Sequence, residues 1–219
     1  MIPTLPHRLA VPLAGLLVVA ALAACTSTGG AASEAPASAS AAAAAATPPP
    51  CPTTQPDPLP AGETRTVTIE TDLGSMELKI EADLSPIAAG NFVALASCGY
   101  YDGVPFHRVV PEFVIQGGDP TGTGTGGPGY TIKDEAVTGT YGRGTVAMAR
   151  TADPDSVGSQ FFIVLSEKAT DALSYYNTYQ IIGSVTSGME TADKIVVEAK
   201  GVELPPDPVI MTSVTVANP

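Results

Sequence analysis

Apolar and polar residues alternate along Thr64–Thr71 and again along Ser75–Glu81, with Asp72-Leu73-Gly74 between them. A period of two in β-branched runs on either side of a short turn predicts a hairpin. The period then changes. Ser85 and Pro86 offer a helix cap and a proline suited to the first helical position, and Ala88, Phe92 and Leu95 follow on one apolar face, which predicts a helix ending near Gly99. Val104–Val109, Glu112–Gly117, Gly144–Ala149, Gln160–Leu165 and Gln180–Val185 read as short strands, and a glycine-rich loop covers Asp119–Gly129. Ser187 and Glu190 have the spacing of a capping box that opens a second helix through Lys200. An apolar strand, Val209–Val216, closes the chain. Many short strands with two separated helices predict a mainly β fold: a closed antiparallel barrel whose ends the helices cover.

Ahead of Glu63 no such pattern exists. Arg8 precedes an uncharged run, Leu9–Ala24, that is shorter than the roughly 20 residues of a spanning helix and is interrupted by Pro12 and Gly15. Small residues end the run at Leu22-Ala23-Ala24-Cys25, so residues 1–24 read as a signal peptide. The LAAC ending resembles a bacterial lipobox, in which Cys25 becomes the lipidated first residue of the mature chain. The plainer reading is a secreted protein with an incidental cysteine. Residues 26–62 are mostly Ala, Pro, Ser and Thr with only Glu34 and Asp57 charged, a composition that predicts a linker without a core. The expected organisation is therefore 1–24 signal peptide, 25–62 lipidated cysteine and linker, and 63–219 folded domain.

Composition narrows the chemistry. A formal charge of −12 with no basic stripe argues against nucleic acid, which is bound through clustered Lys and Arg. Only His7 and His107, and Cys25, Cys51 and Cys98, are present, too few for a usual zinc site in the folded part. No metal and no cofactor is expected. With Cys25 lipidated, Cys51 and Cys98 remain as a pair in a compartment where disulfides persist, so they are a candidate bridge, against the plainer reading of two free thiols.

The chemically informative stretches are YYDGVPFHRVVPEFVIQGG at Tyr100–Gly118, the DPTGTGTGGPG that follows, and GTVAMARTADPDSVGSQFFIVL from Gly144. In these residues, and in their order, the chain resembles the cyclophilin family of peptidyl-prolyl cis-trans isomerases, over roughly residues 64–217. The resemblance implies an eight-stranded barrel with two capping helices, no cofactor, and substrates that are proline-containing polypeptides. It carries to Arg108 the role of catalytic arginine, with Gln116 and Gln160 as polar partners. Phe113, Val114, Phe162 and Leu173 would line a proline pocket; Ala149, Arg150 and Thr151 would form the edge that binds peptide backbone; Tyr179 stands where the family often has histidine.

These residue types suit the chemistry. An X-Pro bond resists rotation by about 18–20 kcal/mol because resonance stiffens C–N. When the bond twists, the proline nitrogen regains a lone pair, and a cation aimed at it stabilises only the twisted state. His107, next to Arg108, is expected on the opposite side of the strand as a structural residue. Strict alternation would also separate Phe113 from Gln116, so a bulge or strong twist is expected between them. The chain departs from the family in having no tryptophan, which the family often places near Ala172 and Leu173, and in carrying Arg150 where asparagine is usual. Weaker cyclosporin inhibition than in a tryptophan-bearing relative is the expected consequence.

The functional expectation is a monomeric isomerase for exported proteins, held on the outer face of a bacterial cell membrane by its lipid anchor. Two readings from other classes compete: a binding module for proline segments without turnover, and a general envelope chaperone. The presence of Arg108, Phe113 and Gln116 together favours the enzyme.

Overall fold

The computed structural model describes residues 48–217; the expected signal peptide, Cys25 and the linker up to residue 47 lie outside the described residues. The hairpin forms as its pattern demands, with β1 (Thr64–Thr71) and β2 (Gly74–Glu81) antiparallel and Val67, Ile69, Met76, Leu78 and Ile80 buried on one face. Helix α1 (Pro86–Ser97) follows. Then come β3 (Arg108–Val110), β4 (Val114–Gly117), β5 (Thr145–Met148), β6 (Phe161–Val164), α2 (Thr170–Tyr176), β7 (Ile181–Ser187), α3 (Met189–Glu198) and β8 (Ser213–Ala217). The strands form one antiparallel sheet in the order β3-β4-β6-β5-β7-β2-β1-β8. Its inner face encloses the main core, where Phe92 and Leu95 of α1 meet Ile69, Leu78, Ile115, Val146, Phe161 and Ile163.

The sheet is curled but open. A closed barrel was the expectation; instead β3 and β8 are both edges. Pro105 and Pro111 bracket β3 and confine it to Arg108–Val110, and a proline cannot donate to a ladder. The gap is crossed outside the strands: Gly103 and Phe106 donate to the carbonyls of Met211 and Val209 at 2.8 and 2.9 Å, and Met211 donates back to Val104 at 3.0 Å. The stretch 104–107, expected as strand, is this irregular crossing.

Among the described residues three helices replace the expected two. The short α2, after a 3₁₀ turn at Glu167–Ala169 capped by the Ser166 hydroxyl, has too few residues to show a helical period. The capping box at Ser187 and Glu190 does not form: Ser187 ends β7, and Gly188, at φ 86°, is the residue before α3. Nor does the Ser85 side chain cap α1. The first N–H groups of that helix, those of Ile87 and Ala88, instead donate to the Glu135 carboxylate at 2.9 Å each, a partner 47 or 48 residues away that no local pattern reveals.

Residues 51–62 also differ from the expected linker. Cys51 is joined to Cys98 by a disulfide with Cα atoms 5.1 Å apart. Leu59 is buried in the main core and its N–H donates to Pro86 O at 2.9 Å. Gln55 Oε1 accepts from the Lys133 N–H at 3.0 Å, and Asp83 accepts from the Gly62 N–H at 2.8 Å. This segment passes so close to α1 that a Cβ on Gly90 would lie 2.4 Å from Asp57 O and 2.7 Å from Leu59 N. It gives α1 a second buried side. Among the described residues no helix is long and apolar enough to cross a membrane.

Candidate active site

The outer face of the sheet carries a second apolar cluster, separate from the main core. Its register explains how. Arg108 of β3 stands opposite Gln116 of β4, Gln116 opposite Phe162 of β6, and Phe162 opposite Ala147 of β5. Cross-strand partners share a face. One row therefore runs across four strands from a cation, through an amide, to an apolar floor. Val114, one step along the same face, pairs with Val164. With Tyr141, Ala169, Leu173 and Ile181 these residues form the cluster, and Phe113, Ala149 and Tyr179 pack against it half-buried.

The residues expected in the proline pocket thus come together: Phe113, Val114, Phe162 and Leu173, with Ala149 and Tyr179 at the margin. Tyr179 meets Phe162 edge-on, ring centroids 5.4 Å apart. Leu173 reaches the cluster from α2, which Thr170 ties to Tyr141 O through its hydroxyl. The Tyr141 hydroxyl, pushed up to about 12 chiefly by burial, donates to Tyr179 O at 2.8 Å and holds that loop over the sheet. No bulge in β4 is needed to bring Phe113 and Gln116 together. Glu112, at φ 61°, makes a turn in which the Phe113 N–H donates to Val110 O, and the strand starts only at Val114. Phe113 lies outside the alternation.

Gln116 donates through Nε2 to Gln160 Oε1 at 2.9 Å. Gln160 Nε2 in turn donates to the carbonyls of Gly124 and Gly126 at 3.0 and 2.9 Å. These bonds orient both amides. They also tie the row to the glycine loop, which with Ala149, Arg150, Thr151 and Gly158 walls a cavity of about 680 Å³ beside the apolar cluster.

The loop has an organiser that the sequence reading missed. Asp119 is buried, and its carboxylate accepts the Thr121 N–H at 2.7 Å, the Thr121 hydroxyl at 2.8 Å, and the N–H groups of Gly124 and Gly126 at 2.7 and 3.0 Å. Burial alone would raise its pKa, but these donors together hold it at about 2. An aspartate leading a run of Thr-Gly repeats is a recognisable Asx-turn starter. It was the available signal.

Two further residues have definite places. Arg150 lines the cavity, but its guanidinium turns away to Asp134 at 2.8 Å and to the carbonyls of Asp153 and Thr151. Its side chain braces the 151–156 loop, and Arg150 still lines the cavity between Ala149 and Thr151. His107 is buried beneath the glycine loop near Gly124, and desolvation lowers its pKa below 6.5, with nearby Asp119 opposing. Arg108 beside it is only half-buried, with its Nε–H bonded to Glu203 at 2.7 Å.

Residues 66–216 match the family described as cyclophilin type peptidyl-prolyl cis-trans isomerase/CLD. This chain belongs to the cyclophilin family. Peptidyl-prolyl cis-trans isomerase B of Bacillus subtilis is 49% identical over 120 residues, covering 52% of this chain and 80% of that protein. Peptidyl-prolyl cis-trans isomerase-like 3 of Dictyostelium discoideum is 39% identical over 163 residues, 70% of this chain and 97% of that one. The crystal structure of a cyclophilin-type peptidyl-prolyl cis-trans isomerase from Cryptosporidium parvum superposes with a TM-score of 0.63 at 33% identity, covering 72% of this chain and 100% of that chain. The same enzyme, solved in the presence of the dipeptide Ala-Pro, gives 0.62 at 32% identity over 70% of this chain and 99% of that one. This cyclophilin is accordingly a peptidyl-prolyl cis-trans isomerase, and its open, curled sheet with three helices is its version of the family fold.

Proposed function

We propose that this cyclophilin isomerises X-Pro bonds in exported polypeptides, with Arg108 stabilising the twisted amide. The observation that carries the reading is the row Arg108–Gln116–Phe162 across adjacent strands. A proline ring resting on Phe113, Val114, Phe162 and Leu173 would have its nitrogen on the cationic side of the row. Rotation breaks the conjugation of the C–N bond, and the nitrogen lone pair that reappears accepts from the guanidinium. That interaction is absent in the planar ground state, so it lowers the barrier instead of merely tightening binding. One preorganised donor of this kind contributes about 2.7–4 kcal/mol. The step needs no covalent intermediate and no proton transfer. Gln116, held by Gln160 at 2.9 Å, would hold the substrate backbone while the preceding carbonyl turns.

The export context rests on the sequence ahead of residue 48. Cleavage after Ala24 and lipidation of Cys25 would leave the domain on the outer face of the cell membrane, where two acyl chains suffice as an anchor and one gives only marginal binding. A Cys25→Ala variant should then move from the membrane fraction to the soluble one.

The catalytic reading is tested with a prolyl isomerisation assay on the full chain and its Arg108→Ala variant. A loss of about 10²–10³ in kcat/KM with an unchanged denaturation midpoint is expected. Full activity in the variant would refute the role of Arg108. A wild type no faster than the thermal reaction would instead favour a proline-binding module.

A further inference from the structure

Arg108 is held from outside the proline pocket. Its Nε–H donates to Glu203 Oε1 at 2.7 Å, and the Val109 N–H donates to the backbone oxygen of Glu203 at 2.8 Å. The second bond fixes the Glu203 backbone against β3, beside the strand position that carries Arg108. Apolar burial does not account for this docking: Val202 and Leu204, on either side, are 45% and 64% exposed. The first bond takes one of the five N–H donors of a guanidinium. Among the described residues, neither Nη of Arg108 has a hydrogen-bond partner.

We infer that Glu203 is a positioning residue for the isomerisation site, gripping Arg108 by Nε so that both Nη groups are left for the substrate amide. The inference rests on the reading of Arg108 given above. An arginine stem is long and rotamer-rich, and a guanidinium that must find its orientation in each turnover loses part of its effect. Glu203 removes that search in advance. A carboxylate also subtracts positive charge, which by itself would weaken the effect on a developing lone pair. Here the side chains are 33% and 59% exposed, so water and salt screen the charge more than they disturb the geometry. Orientation outweighs neutralisation.

The test uses the full chain with Glu203→Ala and Glu203→Gln, each alone and combined with Arg108→Ala. Glu203→Ala should lower kcat about 3- to 10-fold, between the small contribution of an exposed ion pair and the about 100-fold cost of a 1 Å misplacement. KM and the denaturation midpoint should stay unchanged. Glu203→Gln keeps a carbonyl oxygen for Nε–H and should recover most of the loss. The NMR signal of the Arg108 Nε–H should be protected from exchange in wild type and in Glu203→Gln, and lost in Glu203→Ala. In the Arg108→Ala background neither Glu203 variant should change kcat further. An unchanged or increased kcat in Glu203→Ala, or an equal loss without Arg108, overturns the inference. Arg108→Ala retaining full activity would instead refute the underlying catalytic reading, and Glu203 would then have nothing to position.

Discussion

Asp119→Asn offers a sharp test of how the site is built. The carboxylate serves two pairs of donors: Oδ1 takes the N–H and hydroxyl of Thr121, and Oδ2 takes the N–H groups of Gly124 and Gly126. An asparagine has one acceptor oxygen. Whichever way its amide is turned, one pair loses its partner and faces an NH₂ group. Bonds to an ionised acceptor contribute about 1.5–3 kcal/mol each, and the freed groups lie on a loop that water can reach, so a loss of about 2–4 kcal/mol at neutral pH is expected. The lowered pKa, set by the same hydrogen bonds, gives the pH dependence of this stabilisation. In the folded state the group titrates at about 2 instead of 3.8, so the unfolded chain binds the proton more readily. The stabilisation is complete above about pH 4 and is lost as pH falls through about 2, amounting to about 2 kcal/mol. Urea denaturation of both proteins from pH 7 down to pH 2.5 measures it. The gap should narrow by most of that amount below pH 4. A gap that stays constant with pH, or no gap at all, would refute the account of Asp119 as a charged organiser.

Other outcomes follow from the same geometry. Replacing Cys51 and Cys98 with serine opens a loop of 47 residues and should cost about 4 kcal/mol on the chain-entropy view, with kcat/KM largely unchanged; two free thiols in the native, unreduced protein would contradict the bridge. Gly90→Ala should destabilise by about 1–3 kcal/mol, because its methyl group meets the backbone of Asp57 and Leu59, and hydrogen exchange at the Leu59 amide should quicken. Arginine stays charged throughout, so kcat/KM should be flat between about pH 5.5 and 8.5, and a bell centred near neutrality would make His107 a participant. Stability should behave differently. Burial lowers the His107 pKa, so the unfolded chain binds its proton first, and stability should decline as pH drops below 6.5; an equal decline in a His107→Gln variant would assign it elsewhere.

The parts of the fold that were legible in the chain are those governed by local periodicity. The β1–β2 hairpin and α1 were readable because alternation and a helical stripe are properties of consecutive residues. What was not legible depends on distant partners. Glu135, and not Ser85, satisfies the start of α1, and Leu59 is drawn out of a proline-rich stretch into the core by the groove at Gly90. The closure of the barrel was expected because the strands are many, but Pro105 and Pro111 limit β3 to a length that cannot pair with β8. In the site, the aromatic and amide residues were identifiable by their motif, while their assembly follows from register. Asp119 carries only the signal of an Asx-turn start and Glu203 none beyond being acidic; the glycine loop folded over the one and the strand docked against the other give them meaning.

The Cys51–Cys98 bridge also has a mechanical consequence. A pull on the chain ahead of Cys51 does not arrive at β1, whose ladders to β2 and β8 could be peeled apart one bond at a time. It arrives through a covalent bond just beyond the last turn of α1, and spreads through Phe92 and Leu95 into the core as shear. The segment between Cys51 and Thr64, docked on α1 through Leu59, is bypassed by the bridge. Phe92 meets Phe161 with ring centroids 5.1 Å apart, so the load reaches the inner side of the strand whose outer side carries Phe162.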